Sequence, residues 1–260
     1  MKYIKGSNIS SQVKNMKTIM DINIVEELSN REIWTEACRK TGEIGFGKIE
    51  AEFLYAFVVK YKPKEIYQIG CGVSTEICLQ ASKKIGSKID IFCIEPFPSN
   101  FLKSKARSGE INLIQEKLQD IDKKFIYKKI SNMKRNSLFF VDSSHALGPS
   151  GEVSRIILEF LPLLPKETYI HFHDIQFPYD YSRSILKSSL FFQHESILLQ
   201  SFLTLNEKFR IHCSLSMLHY LAQKDLKKKF LNYKPQKSEH GLSISDYGDF
   251  PSSTYLFKEL

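Results

Sequence analysis

The sequence predicts an α/β fold with a seven-stranded, mostly parallel sheet that is covered by helices on both faces. From about residue 50 onward, short apolar segments alternate with amphipathic ones, as in strands joined by helices. The candidate strands are apolar almost throughout, which is typical of a parallel sheet buried on both faces. A hydrophobic content of 42% over 260 residues is enough for one large domain of this class.

The individual elements follow from apolar spacing and from the residues that end each segment. A helix over residues 48–61 has apolar side chains at helical spacing and stops before Pro63. The other predicted helices are 75–83, 99–108 (helix or loop), 120–127, 152–161 and 195–205. The predicted strands are 65–69, 89–94, 111–115, 137–141, 168–173, 209–215 and 253–257.

The chain is predicted to have one main domain with two additions. Residues 1–47 are expected to form a helical or irregular extension before the domain at 48–260. An insertion at 176–208 separates the fifth and sixth strands, and its aromatic stretch at 177–183 is either a substrate wall or a packed surface loop. The stretch 224–249 is basic and then rich in serine and glycine, which indicates a loop or hairpin.

Composition restricts the environment and the partners. No run of about 18 apolar residues is present, so we expect no membrane span, and we see no apolar leader near the N-terminus. The five cysteines form no C-x-x-C pair, which favours a reduced, cytoplasmic protein. The net charge of +8 is interpreted as a solvated surface, with attraction to nucleic acid or an acidic substrate as the alternative.

Polar residues follow the predicted strands at their carboxyl ends, where parallel sheets bind ligands. The first strand runs into Gly70-Cys71-Gly72, a turn whose glycines let the backbone approach a nucleotide-bearing cofactor at a helix N-terminus. Glu95 ends the second strand about 25 residues later, where an acidic side chain can accept the hydroxyls of a ribose. Thr75 occupies the position of the third glycine of the dinucleotide fingerprint, which disfavours NAD because a side chain there crowds the helix beside a pyrophosphate.

Five motifs in order resemble the class I S-adenosylmethionine-dependent methyltransferases. They are Q-I-G-C-G-V-S-T, C-I-E-P, K-L-Q-D, F-V-D-S-S-H and H-F-H-D-I, and the resemblance covers roughly residues 45–220. It is closest to the bacterial branch whose fourth strand ends in Asp-x-x-His. The resemblance implies a Rossmann-like fold with an antiparallel last strand, to which the C-terminal S-S-T-Y-L-F-K is suited.

The same resemblance implies roles for the residues at the strand ends. The turn residues Gly70, Cys71, Gly72 and Ser74 would bind the methionine end of S-adenosylmethionine, and Glu95 its ribose. Two further positions complete the cofactor site: Gln119 would lie at the adenine edge, and Asp142 beside the methionine moiety and the sulfonium.

One position departs from the family pattern. Gln68 stands where the family usually has a Glu that helps to bind the cofactor's amino group. It is retained as a cofactor-binding residue, with a lower affinity expected because the charge is missing.

The candidate catalytic residues are His145, His173 and Asp174. His145 follows Asp142 by three residues and is the expected general base, because histidine titrates near neutrality. A loop histidine bonded to backbone is the alternative. With Asp142, the pair His173 and Asp174 could hold a divalent cation, which is disfavoured because no further carboxylate is near in sequence.

The predicted function is therefore O-methylation of a small molecule, such as a sugar or secondary metabolite. Base-amino methyltransferases usually end the fourth strand in Asn/Asp-Pro-Pro-aromatic, whereas this chain has Asp142-Ser143-Ser144-His145. A nucleic-acid methyltransferase or binder is thus a weaker alternative. An NAD-linked oxidoreductase and a non-catalytic protein with a cofactor fold remain further alternatives, and the oligomeric state is not predicted.

Overall fold

The computed structural model describes residues 1–148, 151–179, 194–237, 243–244 and 251–260. Within them lies a seven-stranded sheet of order β3-β2-β1-β4-β5-β9-β6. Its strands are β1 Glu65–Ile69, β2 Asp90–Ile94, β3 Asn112–Ile114, β4 Leu138–Val141, β5 Thr168–Phe172, β6 Phe209–Ser214 and β9 Thr254–Lys258. A separate hairpin pairs β7 Gln236–Lys237 with β8 Ser243–Ile244.

The direction of the strands confirms the predicted fold class. Strands β1 to β5 are joined by parallel pairs, while β9 pairs antiparallel with both β5 and β6. The last strand therefore fills a slot between two earlier strands, as the resemblance implied. The hairpin lies in the stretch for which a loop or hairpin was predicted, and most of the insertion's stretch 177–183 lies outside the described residues.

The helices surround this sheet. They are α1 Ile9–Ile19, α2 Ile22–Ser29, α3 Ile33–Thr41, α4 Lys48–Tyr61, α5 Val73–Ile85, α6 Asn100–Arg107, α7 Lys123–Ser131, α8 Glu152–Arg155, α9 Leu161–Leu163, α10 Glu195–Leu203, α11 Leu215–Leu221 and α12 Gln223–Lys227. A π-helical turn, Ile156–Phe160, joins α8 to α9 where one continuous helix was predicted. It ends two residues before Pro162, which has no N–H to continue an α-helical ladder.

Two apolar clusters pack the helices on the sheet. In the first, Met16, Ile19 and Ala37 of α1 and α3 are fully buried together with Phe53 and Phe57 of α4. The N-terminal helices thus share a core with α4 and α5, which lie against one face of the sheet. The second cluster covers the other face and is built mainly from α7, the α8–α9 segment and α10.

Two further observations bear on the environment of the protein. All five cysteines are free. No described helix is long and apolar enough to cross a membrane.

At the carboxyl edge of the sheet, the ends of β1, β2, β4 and β5 meet, and the polar residues predicted from the sequence come together there.

Candidate active site

The glycine turn after β1 lies against the end of β4. Gly70 has φ +81°, a conformation that L side chains rarely adopt. A Cβ at this position would lie 1.7 Å from the carbonyl oxygen of Asp142, which is far inside the contact distance. Only glycine permits this approach, so the two strand ends that begin the site are held in direct backbone contact.

Thr75, which replaces the third glycine, closes the turn at the start of α5. Its N–H donates to the carbonyl oxygen of Gly72 at 3.1 Å, and its Oγ1 accepts from the N–H of Gly72 at 3.3 Å. This reciprocal pair satisfies backbone groups that are otherwise left unpaired at a helix N-terminus. The side chain that disfavours a dinucleotide therefore has a structural use in the turn.

Gln68 lies beneath the turn and is completely buried. Its Nε2 donates to Oγ of Ser74 at 3.3 Å, and its Oε1 accepts a weak hydrogen bond from Sγ of Cys93 at 3.9 Å. Ser74 is also buried but lines the cavity above the turn. Gln68 therefore contacts the cavity only through Ser74.

A cavity of about 360 Å³ opens above the glycine turn. That volume lies within the range of small-ligand sites. Among the described residues, its lining holds three carboxylates and no lysine or arginine. The lining residues are Glu43, Ile44, Gly45, Phe46, Gly70, Cys71, Gly72, Val73, Ser74, Glu95 and Asp142. A cationic ligand is thus electrostatically favoured in the cavity, and an anionic ligand is opposed.

Glu95 is fixed at the wall of this cavity by two backbone groups. Its Oε2 accepts from the N–H of Cys71 at 3.3 Å, and its Oε1 accepts from the N–H of Phe97 at 3.0 Å. A carboxylate has about four acceptor positions, so two remain for hydroxyl donors. By contrast, Gln119 is exposed and is not part of the lining.

His145 lies beside the cavity, next to Asp142, and is surrounded by carboxylates. Its Nδ1 is 2.7 Å from Oε2 of Glu195, and its Nε2 is 3.6 Å from both Oδ1 of Asp142 and Oδ2 of Asp174. Its backbone has φ +60°, and the residue is 8% exposed. The loop after β4 therefore holds the imidazole buried between two strand ends and the start of α10.

These carboxylates change the acid–base properties of the histidine. Burial alone would lower the pKa of His145, but the hydrogen bonds and charges of Asp142, Glu195 and Asp174 raise the pKa from 6.5 to about 10. Burial raises the pKa of Glu195, against the lowering effect of His145. The pKa of His145 therefore lies above the near-neutral value expected from the sequence, because Asp142 and two carboxylates distant in sequence stabilise the imidazolium.

His173 and Asp174 continue this polar cluster beyond β5. Nδ1 of His173 is 3.3 Å from Oε1 of Glu50, and its Nε2 is 3.6 Å from Oδ1 of Asp174. Burial lowers the pKa of His173, but the charges of Glu50 and the two aspartates hold it well above its ordinary value. Burial raises the pKa of Asp174, yet His173, His145 and Ser252 together bring it below 3.8.

Glu50 links His173 to the serines that precede β9. This carboxylate on α4 is 2% exposed and accepts from the N–H of Ser252 at 2.8 Å. It also accepts from the hydroxyls of Ser252 and Ser253, both at 3.0 Å. His171 is fully buried, and its Nε2 lies 2.8 Å from Oγ of Ser253. No group of three or more metal-ligating side chains arranged to hold an ion is found in the described part of the chain.

Several residues of the site were not identified from the sequence, among them Glu43, Phe46, Glu50 and Glu195. Glu50 and Glu195 stand in the first turns of helices, where acidic residues are common, so nothing in the pattern marks them. For Glu43 and Phe46 the sequence did contain a signal. Both lie in T-G-E-I-G-F-G, residues 41–47, which is a second glycine-rich segment leading into a helix.

The fold and this site define a class. The strand order with its antiparallel β9, the glycine turn, and the acidic residues after β2 and β4 agree with the resemblance to class I methyltransferases that the motifs indicated. A family model described as a methyltransferase domain matches residues 67–175, from β1 to just past β5. Residues 67–175 therefore match a methyltransferase domain, and the predicted resemblance to methyltransferases is confirmed.

Individual relatives are more distant or cover less of the chain. An uncharacterized protein from Archaeoglobus fulgidus is 38% identical over 84 residues, which are 31% of this chain and 37% of that protein. The chain thus matches little more than a third of the length of this curated relative.

Two solved structures share the fold. Cofactor-bound Rv0187 from MTB has a TM-score of 0.51 at 10% identity, over 88% of this chain and 91% of the other. A Staphylococcus aureus protein, provisionally assigned as a caffeoyl-CoA O-methyltransferase, has a TM-score of 0.50 at 12% identity, over 92% and 100%. At these identities the similarity shows the fold alone.

Proposed function

We propose that this protein is an S-adenosylmethionine-dependent methyltransferase that methylates a hydroxyl oxygen of a small molecule, such as a sugar or secondary metabolite. The observation that carries the proposal is the position of Asp142, which lines the acidic cavity and also contacts His145. A cofactor cavity and a proton-accepting cluster thus share one residue, as methyl transfer to a hydroxyl requires.

The charge of the cavity supports this cofactor. S-adenosylmethionine carries a sulfonium and an α-ammonium group, and the lining carries the carboxylates of Glu43, Glu95 and Asp142. A pyrophosphate would bring negative charge to the same lining, which disfavours NAD. The residues that would hold the cofactor are the turn Gly70–Ser74 at its methionine end, Glu95 at its ribose and Asp142 near its sulfur. Gln119 is proposed for the adenine edge on the resemblance alone.

The bound cofactor would supply a methyl group activated by positive sulfur, so the protein has to orient the acceptor and accept its proton. We assign the proton to Nε2 of His145. Glu195 holds Nδ1 at 2.7 Å, which leaves Nε2 directed toward Asp142 and Asp174. The carboxylates stabilise the imidazolium and raise the pKa of His145 to about 10, so the neutral form that accepts the proton is a strong base but predominates only at alkaline pH, and methyl transfer should become faster as the pH rises toward that value. His173 and Asp174 would orient the acceptor.

The same cluster disfavours nucleic acid as the acceptor. Glu50, Asp142, Asp174 and Glu195 are carboxylates within or beside the site, and they would repel phosphate groups. The excess of basic residues that gives the net charge of +8 lies elsewhere in the chain. We therefore favour a small neutral or cationic acceptor.

The proposal is tested by calorimetry with S-adenosylmethionine, S-adenosylhomocysteine and NAD. We expect micromolar binding of the first two and none of NAD. Absence of binding of the first two at millimolar concentration would refute the methyltransferase assignment. In a methyl-transfer assay against hydroxylated small molecules, His145→Ala should reduce turnover by about a hundredfold or more while cofactor affinity stays the same. Unchanged turnover would exclude His145 as the base.

A further inference from the structure

The proposed cofactor leaves one charge without a partner in the glycine turn. Its α-ammonium group needs an anionic acceptor near the methionine end, and Gln68 stands where the family has a Glu. Gln68 is neutral, completely buried, and bonded through its amide to Ser74 and Cys93. It can neither provide the charge nor enter the cavity.

We propose that Glu43, on the loop between α3 and α4, binds the α-ammonium group of the cofactor in this protein. This proposal rests on the proposed function and assigns to a residue before the matched methyltransferase segment a task that the family gives to the end of β1. Glu43 lines the same cavity as Gly70, Gly72 and Ser74.

The position of the carboxylate supports this role. A Cβ on Gly72 would lie 2.8 Å from Oε2 of Glu43, so the carboxylate reaches over the turn at the place where Gly72 has no side chain. No lysine or arginine forms an ion pair with Glu43 within the described ranges. The carboxylate is therefore available to a cationic ligand in the cavity.

The loop that carries Glu43 is anchored on both sides. The N–H of Glu43 donates to Oγ1 of Thr41 at 3.3 Å, and Gly42 ends α3 in the left-handed conformation. Phe46 is buried, its ring centroid is 4.9 Å from that of His173, and its carbonyl oxygen accepts from Nε1 of Trp34 at 2.7 Å. Glu43 is thus presented on a fixed backbone.

The three carboxylates of the cavity then have separate tasks. Glu95 is held by the backbone of its own loop and of Cys71, which suits it to the ribose hydroxyls. Asp142 lies beside His145, at the side where the acceptor must meet the methyl group. Glu43 is the carboxylate that lies over Gly72, next to the helix N-terminus at which the methionine end is expected.

The test compares two ligands that differ at the amino acid end. S-adenosylhomocysteine has the α-ammonium group, and 5′-methylthioadenosine lacks the whole amino acid moiety. Calorimetry of Glu43→Gln should show about ten- to a hundredfold weaker binding of S-adenosylhomocysteine, the usual effect of losing one charge-assisted hydrogen bond. Binding of 5′-methylthioadenosine should be unchanged.

Glu26→Gln is the matched control, because Glu26 is an exposed carboxylate on α2 in the same N-terminal region and outside the cavity lining. It should bind both ligands as the wild type does. Wild-type affinity of Glu43→Gln for S-adenosylhomocysteine would overturn the proposal and leave the proposed function intact. Equal weakening of both ligands would also overturn it, since the effect would then come from the loop's shape. A wild-type protein that binds neither ligand would overturn the proposed function as well.

Discussion

Replacement of Glu195 by Gln removes one of the charges that hold His145 in its protonated form. The change keeps the size of the side chain and leaves an oxygen that can accept from Nδ1, so the ring should keep its orientation. A carboxylate at such a distance usually shifts a pKa by about 1 to 3 pH units. Starting from about 10 in the wild type, the pKa of His145 in Glu195→Gln should fall to roughly 7 to 9.

The assay is an NMR titration of the His145 ring between pH 5 and pH 11, at a ring signal assigned with His145→Asn. In parallel, the pH dependence of kcat/KM should show a rising limb that moves to lower pH by the same amount, because the proposed base is the neutral imidazole of His145. Glu207→Gln is the control, since Glu207 is exposed and pairs with Lys5 far from the site. A wild-type His145 that titrates near 6.5, or an unchanged pKa in Glu195→Gln, would refute the reasoning.

Three further predictions concern stability and are measured by urea unfolding. The raised pKa of His145 stabilises the fold below pH 6.5, and this contribution disappears as the pH rises through about 10. The loss of stability in His145→Gln should therefore shrink by up to roughly 5 kcal/mol over that window, and a constant difference would contradict it. Gly70→Ala should cost at least about 3 kcal/mol because of its close backbone contact, whereas Gly86→Ala, with similar φ but no neighbour within 4 Å, should cost about 1 kcal/mol. Thr75→Val should cost about 1 kcal/mol by removing the acceptor for the N–H of Gly72, and no loss would show that this bond is dispensable.

Much of the fold could be predicted because its signals are local. The helix Lys48–Tyr61 and the strand Glu65–Ile69 were predicted with the bounds that the structure gives them. The start of α5 at Val73 was missed by two residues, because Thr75 caps the helix from inside its first turn. The π-helical turn was missed because helical spacing does not distinguish a widened turn from a regular one.

The site was predictable only in the part that follows the strands. Glu95, Asp142 and His145 could be found because parallel strands bring their carboxyl ends to one edge. Glu195, the nearest partner of His145, could not be found, since it is 50 residues away in sequence and reaches the ring only through the packing of α10. The error in the expected pKa of His145 has this cause: the titration of a buried group depends on charges that only the tertiary structure brings close.

Because β9 lies between β5 and β6, the seven-stranded sheet cannot be completed during synthesis until β9 has been made. Strand β9, at residues 254–258, is the pairing partner of both, so a nascent chain that ends before it presents two open strand edges. Ser252 and Ser253, which orient Glu50 beneath His173, emerge with the same segment. The seven-stranded sheet and the hydrogen bonds to Glu50 are therefore completed together, and chains interrupted before β9 should be prone to aggregate.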